Sequence, residues 1–408
     1  MSRRIIVIGG GAAGLSAAAS AAESGASVTV LERLPRVGKK ILLTGNGRCN
    51  LGNTHLNAEN YHGTYPHGMQ IIQQFDSGRF FRGMGLYTRT DPEGRMYPAS
   101  GTAASVLDAL RFRAEQLGVQ TLCGKQVTGL KHTGAKWQVF CGETAFSADA
   151  VIAAAGGNAA PNCGTDGNLL PVFKRLGLTV IPPKPALCPI PTDPAAVRPL
   201  KGLRVRAEAS ASVGGKRLRT ERGEVQFTDT ALSGICIFNL SRIAAMHGER
   251  TEIVLNLLPD YSEGECAEIL RELLAQRGDL PAGDLLSGLL PKRIGEVWIK
   301  AALGTANAAA GELLHAEAAQ QRLLSLLRGR RFPVTGLASF AQAQVTAGGI
   351  AGQCLTKTLE AKGLPGLYFC GELVDFDGDC GGYNLTWCWA SGKLSGRNAA
   401  ESIYHVRK

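Results

Sequence analysis

The chain has 408 residues, 45% hydrophobic and 19% charged, with 44 basic against 34 acidic side chains and a formal charge of +10. That length fills two or three domains and buries a large core, and the composition excludes intrinsic disorder, a fibre and a small disulfide scaffold. The 52 glycines, nearly twice the usual share of about 7%, fall in short clusters with no Gly-X-Y period, as phosphate-cradling loops do. The positive balance favours an anionic partner: a phosphorylated cofactor, nucleic acid or an acidic metabolite. No two of the eleven cysteines lie closer than eight residues, which excludes a Cys-x-x-Cys zinc knuckle or redox pair and suits a reducing cytoplasm.

Residues Ile5 to Ala22 form an uncharged run of 18 residues behind Arg3 and Arg4. Its second half, almost all Ala, Gly and Ser, is too weakly apolar for a membrane span. The run reads instead as the opening of a nucleotide fold. Arg4 to Ile8 is a buried parallel strand by its pattern. It enters Gly9-Gly10-Gly11-Ala12-Ala13-Gly14, a G-x-G-x-x-G segment, and then a small-residue helix ended by Gly25. Ser27 to Leu31 form a second strand reaching Glu32, 18 residues beyond Gly14. Gly9 makes the turn, Gly11 admits a pyrophosphate to the backbone, and Gly14 permits close helix-to-strand packing. The helix N-terminus offers free amides and a positive dipole, and Glu32 suits adenosine ribose hydroxyls while disfavouring a 2′-phosphate.

The next glycine-rich stretch, Arg36 to Asn50, carries Lys39, Lys40, Thr44, Gly45, Gly47, Arg48, Cys49 and Asn50. Such a loop can pass a pyrophosphate and then a planar ring, with Lys and Arg neutralising charge. Asp149 to Ile152 form a strand opening onto Ala153, Ala154, Ala155, Gly156 and Gly157, suited to a chain crossing over a cofactor. Pro182, Pro183, Pro185, Pro189, Pro191 and Pro194 mark a linker. Residues 203–228 alternate as antiparallel strands with a hairpin at Gly214-Gly215, and 264–327 follow a helical period. A late strand, Gly366 to Phe369, leads to Cys370, Gly371 and Glu372; Gly381, Gly382, Tyr383 and Asn384 then open a helix. Cofactor segments at both ends of the chain imply one nucleotide domain closed by the C-terminus and favour FAD over NAD. No second strand–G-x-G-x-x-G unit is present, so a separate NADPH domain is not expected.

These segments resemble the BaiN/YhiN-like bacterial flavoproteins, aminoacetone oxidase-like FAD-binding enzymes. The resemblance spans nearly the whole chain. Its most specific pieces are Gly38-Lys39-Lys40-Ile41 through Gly47-Arg48-Cys49-Asn50, and Gly381-Gly382-Tyr383-Asn384 with Trp387, Trp389 and Ser391-Gly392. Gly94-Arg95-Met96-Tyr97-Pro98 and Val345-Thr346-Ala347-Gly348-Gly349 match as well. Cys380 stands where the family more often has Thr. The resemblance implies an α/β fold: a glutathione-reductase-type, Rossmann-like FAD domain at 1–185 and 345–408, with two insertions. These are an antiparallel β domain at 186–250 and 331–344, and a helical domain at 251–330. It also implies cofactor contacts at Arg33 and Val127 beside the residues already named.

For chemistry, a C=C reductase needs a general acid opposite the ring. The candidates are Arg95, Tyr97, Tyr383 and Cys49. Tyr383 also suits fixing the ring, Arg95 a surface pair with Asp91 or Glu93, and Cys49 a buried structural thiol. His55, His62 and His67 fit no compact ligand pattern, and no metal is expected. Residues 201–222 hold seven basic against two acidic side chains; Arg204, Arg206, Lys216, Arg217 and Arg219 form a candidate nucleic-acid face, or a solvated one. Some family members are ribosomal RNA dihydrouridine synthases using FAD and NADH. The resemblance therefore implies an NAD(P)H-linked reductase of an electron-poor C=C, with uracil in ribosomal RNA as the leading substrate. Oxidation of a small amine, reduction of a steroid-like compound and a non-catalytic flavoprotein stay as alternatives.

Overall fold

The computed structural model describes residues 2–134 and 136–402. The chain divides into two compact units, one holding residues up to Pro185 and from Ala343 onward, the other Ala186–Gln342.

The first unit is a doubly wound nucleotide fold. Strands β1 (Arg4–Ile8), β2 (Ser27–Glu32), β3 (Gln120–Cys123), β4 (Ala150–Ala153) and β5 (Leu367–Phe369) form a parallel sheet in the order β5-β4-β1-β2-β3. The central strands are buried on both faces, as their unbroken apolar runs require. Helix α1 (Ala12–Glu23) follows β1, and helix α2 (Tyr383–Glu401) packs along it. The two helices approach to backbone distance. A Cβ on Gly392 would lie 2.4 Å from the Ala13 carbonyl oxygen, and one on Gly396 would lie 2.3 Å from that of Ala17. Ser16 and Ser20 lock the contact by donating from Oγ to the carbonyls of Trp389 and Lys393, each at 2.9 Å. The boundary between the two units falls at Pro185–Ala186, within the proline-rich stretch expected as a linker, and Pro182, Pro183 and Pro185 lie in a strand, Val180–Ala186, paired with Val345–Ile350. A two-stranded ribbon leaves free edges, where the missing N–H groups of proline cost nothing.

The second unit is a six-stranded antiparallel sheet in the order Ile190–Pro191, Ala231–Ser233, Lys216–Phe227, Arg204–Val213, Thr251–Asn256, Arg330–Pro333. Its hairpin turns at Gly214 and Gly215, whose φ of 57° and 81° give the turn that matches strand twist. Helices Ile235–His247, Glu263–Arg277, Lys292–Leu303 and Glu317–Gly329 complete it. The expected β and helical segments share a single core: Val225, Phe227 and Leu255 of the sheet lie in one cluster with Leu270, Trp298 and Leu323 of the helices. A sheet with one apolar face must cover it, and here the helices do so. Among the described residues no helix is long and apolar enough to cross a membrane.

Candidate cofactor and active site

The glycine loop after β1 has the expected shape. Gly9 takes φ 99°, and a Cβ there would meet the Ala154 carbonyl oxygen at 2.5 Å. A Cβ on Gly14 would lie 1.9 Å from the Gly9 oxygen, whereas one on Gly11 would meet nothing within 4 Å. Gly9 and Gly14 therefore serve internal packing, and Gly11 faces the open space that a pyrophosphate needs. α1 begins at Ala12 and Ala13 with no side-chain cap, so its first amides stay available. Glu32, buried at the end of β2, accepts from the Gly10 amide through Oε2 and from the Leu34 amide through Oε1, both at 2.8 Å. The carboxylate thus clamps the loop as well as offering its remaining lone pairs.

The cations expected to neutralise phosphate are largely spent on protein. Arg33 Nη1 lies 2.7 Å from Asp166 Oδ1. Lys39 Nζ donates to the Asn162 carbonyl at 2.6 Å. Lys40 Nζ donates to the Ala159 carbonyl at 3.2 Å and to Glu372 Oε2 at 2.7 Å. All three hold the segment 159–166 that follows β4. Glu372 accepts in turn from the Thr346 amide at 2.9 Å, and Thr346 Oγ1 accepts from the amides of Asn158 and Ala159 at 2.8 and 2.9 Å. Ala155, Gly156 and Gly157 lead into this network: Gly156 takes φ 74°, and a Cβ on Gly157 would lie 2.4 Å from Thr346 Oγ1. Sequence reasoning gave no role to Thr346 or Asn158. The signal available was the Val345-Thr346-Ala347-Gly348-Gly349 segment.

The stretch from Thr44 to Asn50 is a tight loop. Thr44 Oγ1 donates to the Ile41 carbonyl at 2.7 Å, and Gly45, Asn46, Gly47 and Cys49 all take positive φ. Cys49 is fully buried among Leu15, Ile41, Leu51, Phe81 and Trp389, and burial pushes its thiol up to about 11. It is a structural thiol, not a proton donor. The Arg48 guanidinium sits 5.0 Å above the Tyr97 ring. At the start of α2, Gly381 and Gly382 take φ 138° and 96°, and a Cβ on Gly382 would lie 2.3 Å from the Gly52 oxygen and 2.6 Å from Asn50 Oδ1. Gly371 donates its amide to Ser391 Oγ at 2.9 Å. Asn384 closes the turn before α2, its Oδ1 accepting from the Gly378 amide at 2.8 Å and its Nδ2 donating to the Gly378 carbonyl at 2.7 Å. That carboxamide is occupied within the turn. Tyr383 is buried edge-on to Tyr61, ring centroids 5.7 Å apart, and its carbonyl accepts from the Tyr61 hydroxyl at 3.2 Å. Val127 is buried, with its carbonyl accepting from Asn168 Nδ2 at 3.3 Å.

Arg95 is paired with Asp91 at 2.7 Å and Glu93 at 2.9 Å, the surface alternative, and so is not a free anchor for substrate. Its strand Arg95–Pro98 pairs with Gly52–Asn53, and Asn53 Nδ2 donates to the Gly381 carbonyl at 2.8 Å. Tyr97 therefore stands one element away from the turn that starts α2. Its hydroxyl makes no hydrogen bond among the described residues. His62 Nε2 lies 3.0 Å from Asp379 Oδ1; among the described residues no three ligand-type side chains converge. In the second unit, Arg204 pairs with Glu224 at 3.0 Å, Arg219 with Glu221 at 2.6 Å and Arg222 with Glu208 at 2.9 Å. Arg206, Lys216 and Arg217 make no ion pair among the described residues.

FAD fits these residues. Gly11 leaves room for a pyrophosphate, to which the uncapped α1 amides would donate. The carboxamide oxygens Asn50 Oδ1 and Asn158 Oδ1 are both buried without a donor. Buried acceptors of that kind call for donors from outside the chain, and FAD carries ribityl hydroxyls and ring N–H groups. Gly9 to Gly14, Glu32, Asn50, Asn158, Gly381 and Gly382 would hold it.

Comparison with known proteins agrees. The family model described as the HI0933-like protein Rossmann domain matches residues 3–398. A 3-dehydro-bile acid delta(4,6)-reductase from Clostridium scindens is 35% identical over 98% of this chain and 99% of its own. A ribosomal RNA dihydrouridine synthase from Haemophilus influenzae is 26% identical over 95% of this chain and 96% of its own. Among solved structures, the 3-ketosteroid delta1-dehydrogenase of Sterolibacterium denitrificans shares the fold at a TM-score of 0.50 and 13% identity, covering 98% of this chain and 100% of that one. The chain belongs to the HI0933-like Rossmann family and is an FAD-dependent oxidoreductase.

Proposed function

We propose that the chain is an NAD(P)H-linked reductase of a C=C bond conjugated to a carbonyl, with a 3-oxo steroid acid of the bile-acid type as its substrate. The observation that carries this reading is the whole-chain likeness, at 35% identity, to a reductase of that chemistry. The relatives named for ribosomal RNA act on a different molecule but a related bond, since uracil C5=C6 is conjugated to a carbonyl. When bound, FAD supplies hydride transfer. The chain supplies the rest. Gly381 and Gly382 bring the amides at the start of α2 toward the cofactor, where the helix dipole favours developing negative charge. The Tyr97 hydroxyl is the proton donor, and Arg48 packs over its ring.

A second reading, uracil in ribosomal RNA, is favoured by Arg206, Lys216 and Arg217, whose charges are not compensated by acids within the second unit. One experiment separates them. The oxidised protein is mixed anaerobically with NADH and NADPH, and the flavin's visible absorbance is followed. The reduced protein is then offered a 3-oxo-4,6-diene steroid acid or unmodified ribosomal RNA. Bleaching by a nicotinamide followed by reoxidation with the steroid acid supports the first reading. Reoxidation with RNA alone supports the second. Bleaching by an amine instead, with peroxide released in air, would make the protein an oxidase and overturn both.

A further inference from the structure

Two arginines flank Tyr97 within the first unit, on the sheet face tied to the turn before α2. Gly52–Asn53, Arg95–Pro98 and Thr88–Thr90 form a three-stranded antiparallel sheet, with Asn53 opposite Arg95 and Arg89 opposite Tyr97. Residues opposite one another, or two apart on a strand, share a face. Asn53, Arg95, Tyr97 and Arg89 therefore lie on one side, while Met96 turns to the other and packs against the cluster of Leu51, Phe81 and Trp389. Asn53 ties its side to the turn by donating to the Gly381 carbonyl at 2.8 Å. The Arg48 guanidinium covers the Tyr97 ring from the glycine-rich loop, 5.0 Å from its centre. Arg89 Nη2 lies 3.5 Å from where a Cβ on Gly101 would stand, in the turn that follows Tyr97 and Pro98.

The acids of this hairpin are taken, since Asp91 and Glu93 both hold Arg95. Arg33, Lys39 and Lys40, the other cations of the cofactor segments, hold the segment 159–166. Arg48, by contrast, makes one long hydrogen bond, from Nε to the Gly45 carbonyl at 3.4 Å in its own loop, and no ion pair among the described residues. Arg89 makes neither among the described residues. Both arginines are exposed. Tyr97 between them is 8% exposed, yet its hydroxyl has no partner among the described residues. A largely buried phenol with an unmet hydroxyl, set between two uncompensated guanidinium groups, marks a polar site for an anion from outside the chain.

Charge, and what the fold already uses, select the anion. The parallel sheet of the first unit is the one nucleotide-type sheet among the described residues, and Gly9 to Gly14 with Glu32 commit it to FAD. The sheet of the second unit is antiparallel. A nicotinamide dinucleotide therefore has no fold of its own here and must be held by side chains beside the cofactor cradle. The edge of one guanidinium suffices for a carboxylate, whereas two guanidinium groups match the two charges of a diphosphate, each with paired hydrogen bonds. We propose that Arg48 and Arg89 bind the diphosphate of the nicotinamide dinucleotide that reduces the flavin; that such a dinucleotide is the reductant rests on the function proposed above.

The test uses the FAD-loaded oxidised protein and ADP-ribose, which carries the dinucleotide's diphosphate without its nicotinamide, so no electron moves. Calorimetry reads binding, and flavin fluorescence checks that FAD is not displaced. ADP-ribose should bind, and inorganic diphosphate should compete with it where acetate does not. Arg48→Gln and Arg89→Gln should each weaken binding about tenfold, and Arg89→Lys by less, because lysine keeps the charge without the planar fork. Both positions are exposed, so the melting temperature should hold. Arg175→Gln, which removes an exposed charge elsewhere on the unit, should leave binding unchanged. Failure of ADP-ribose to bind, binding that both glutamine variants leave intact, or competition by acetate as strong as by diphosphate would each overturn the proposal. Binding of a uridine-rich RNA oligonucleotide through both arginines, without binding of ADP-ribose, would assign the pair to an RNA backbone and overturn it too. The reductase reading fails separately, if neither NADH nor NADPH bleaches the flavin while ADP-ribose still binds through the two arginines. Bleaching by NADH with the same concentration dependence in both variants would leave that reading standing and remove the site.

Discussion

Lys40 Nζ lies 2.7 Å from Glu372 Oε2, joining the basic glycine-rich stretch after β2 to the turn after β5. The pair also anchors two further segments, because Glu372 accepts from the Thr346 amide and Lys40 donates to the Ala159 carbonyl. Four separate segments are thereby joined through two side chains. Their exposures of 24% and 16% place the pair between a surface salt bridge and a buried one. Lys40→Met should cost about 1–2 kcal/mol, mainly because Glu372 is left without a cation. The double variant Lys40→Met/Glu372→Gln should recover part of that loss. Thermal melting with and without added FAD reads both effects, and a double variant weaker than the single would contradict the argument.

The contact between α1 and α2 is less forgiving. Alanine at Gly392 or Gly396 brings a Cβ to 2.4 or 2.3 Å from a backbone oxygen, which no rotamer change relieves. Each substitution should destabilise by about 1–3 kcal/mol or more. It should also weaken FAD retention, since it displaces the helix whose first amides face the pyrophosphate. Flavin fluorescence released on dilution is the readout, and tight FAD retention in Gly392→Ala would show that α1 does not depend on α2.

The nucleotide fold was legible because its signals are local. The turn at Gly9, the small residues of α1 and the acid ending β2 follow one another within about one βαβ half. The roles of Lys39 and Lys40 were not legible, since their partners at Asn162, Ala159 and Glu372 lie far away in sequence. Asn158 was missed for the same reason: its significance is an unpaired carboxamide oxygen, visible only once the fold surrounds it. The pairing of Arg95 with Asp91 lay within one hairpin, and the alternative was open from spacing. The basic stretch from Arg204 to Arg222 reads from sequence as a nucleic-acid face or a solvated one, because spacing alone does not show the hairpin register that sets Arg206 opposite Glu224 and Glu208 opposite Arg222.

The buried thiols make the protein sensitive to alkali. Burial raises Cys49, Cys188 and Cys236 from 9.0 to about 11. Below pH 9 the thiols are protonated in both states and contribute nothing to the pH dependence. Above it the unfolded chain loses protons that the folded chain keeps, so stability falls, by up to about 1.4 kcal/mol per pH unit for each thiol, until the folded thiols ionise near pH 11. The melting temperature should be flat through pH 8 and drop between pH 9 and 11. Cys49 should resist alkylation at pH 8 while exposed Cys123 reacts; rapid alkylation of Cys49 in the folded protein would place it at a reactive surface after all.

Charge on the hairpin separates the two substrate readings. Arg217 carries no ion pair among the described residues, whereas Arg219 is held by Glu221. Arg217→Glu reverses an uncompensated charge and should leave turnover of a steroid acid unchanged. If RNA is the substrate, the same variant should weaken RNA binding and flatten its salt dependence by about one to two phosphate contacts. Binding measured across a salt series, beside steady-state turnover, reads the two outcomes independently.

In the function proposed above Tyr97 is the proton donor, since the Cys49 thiol is fully buried and Arg95 is held by Asp91 and Glu93. It is 8% exposed, lies under Arg48 and has a hydroxyl with no hydrogen-bond partner among the described residues. Tyr97→Phe keeps the ring, the stacking and the strand, so FAD content and melting temperature should hold. Substrate reduction should slow about 10²–10⁴-fold, the usual weight of a positioned general acid. Flavin reduction by the nicotinamide should not change, because that step draws no proton from the phenol. Single-turnover measurements of the two half-reactions distinguish these effects. Equal slowing of both would make Tyr97 a residue that positions the cofactor, and no slowing of either would remove it from the chemistry.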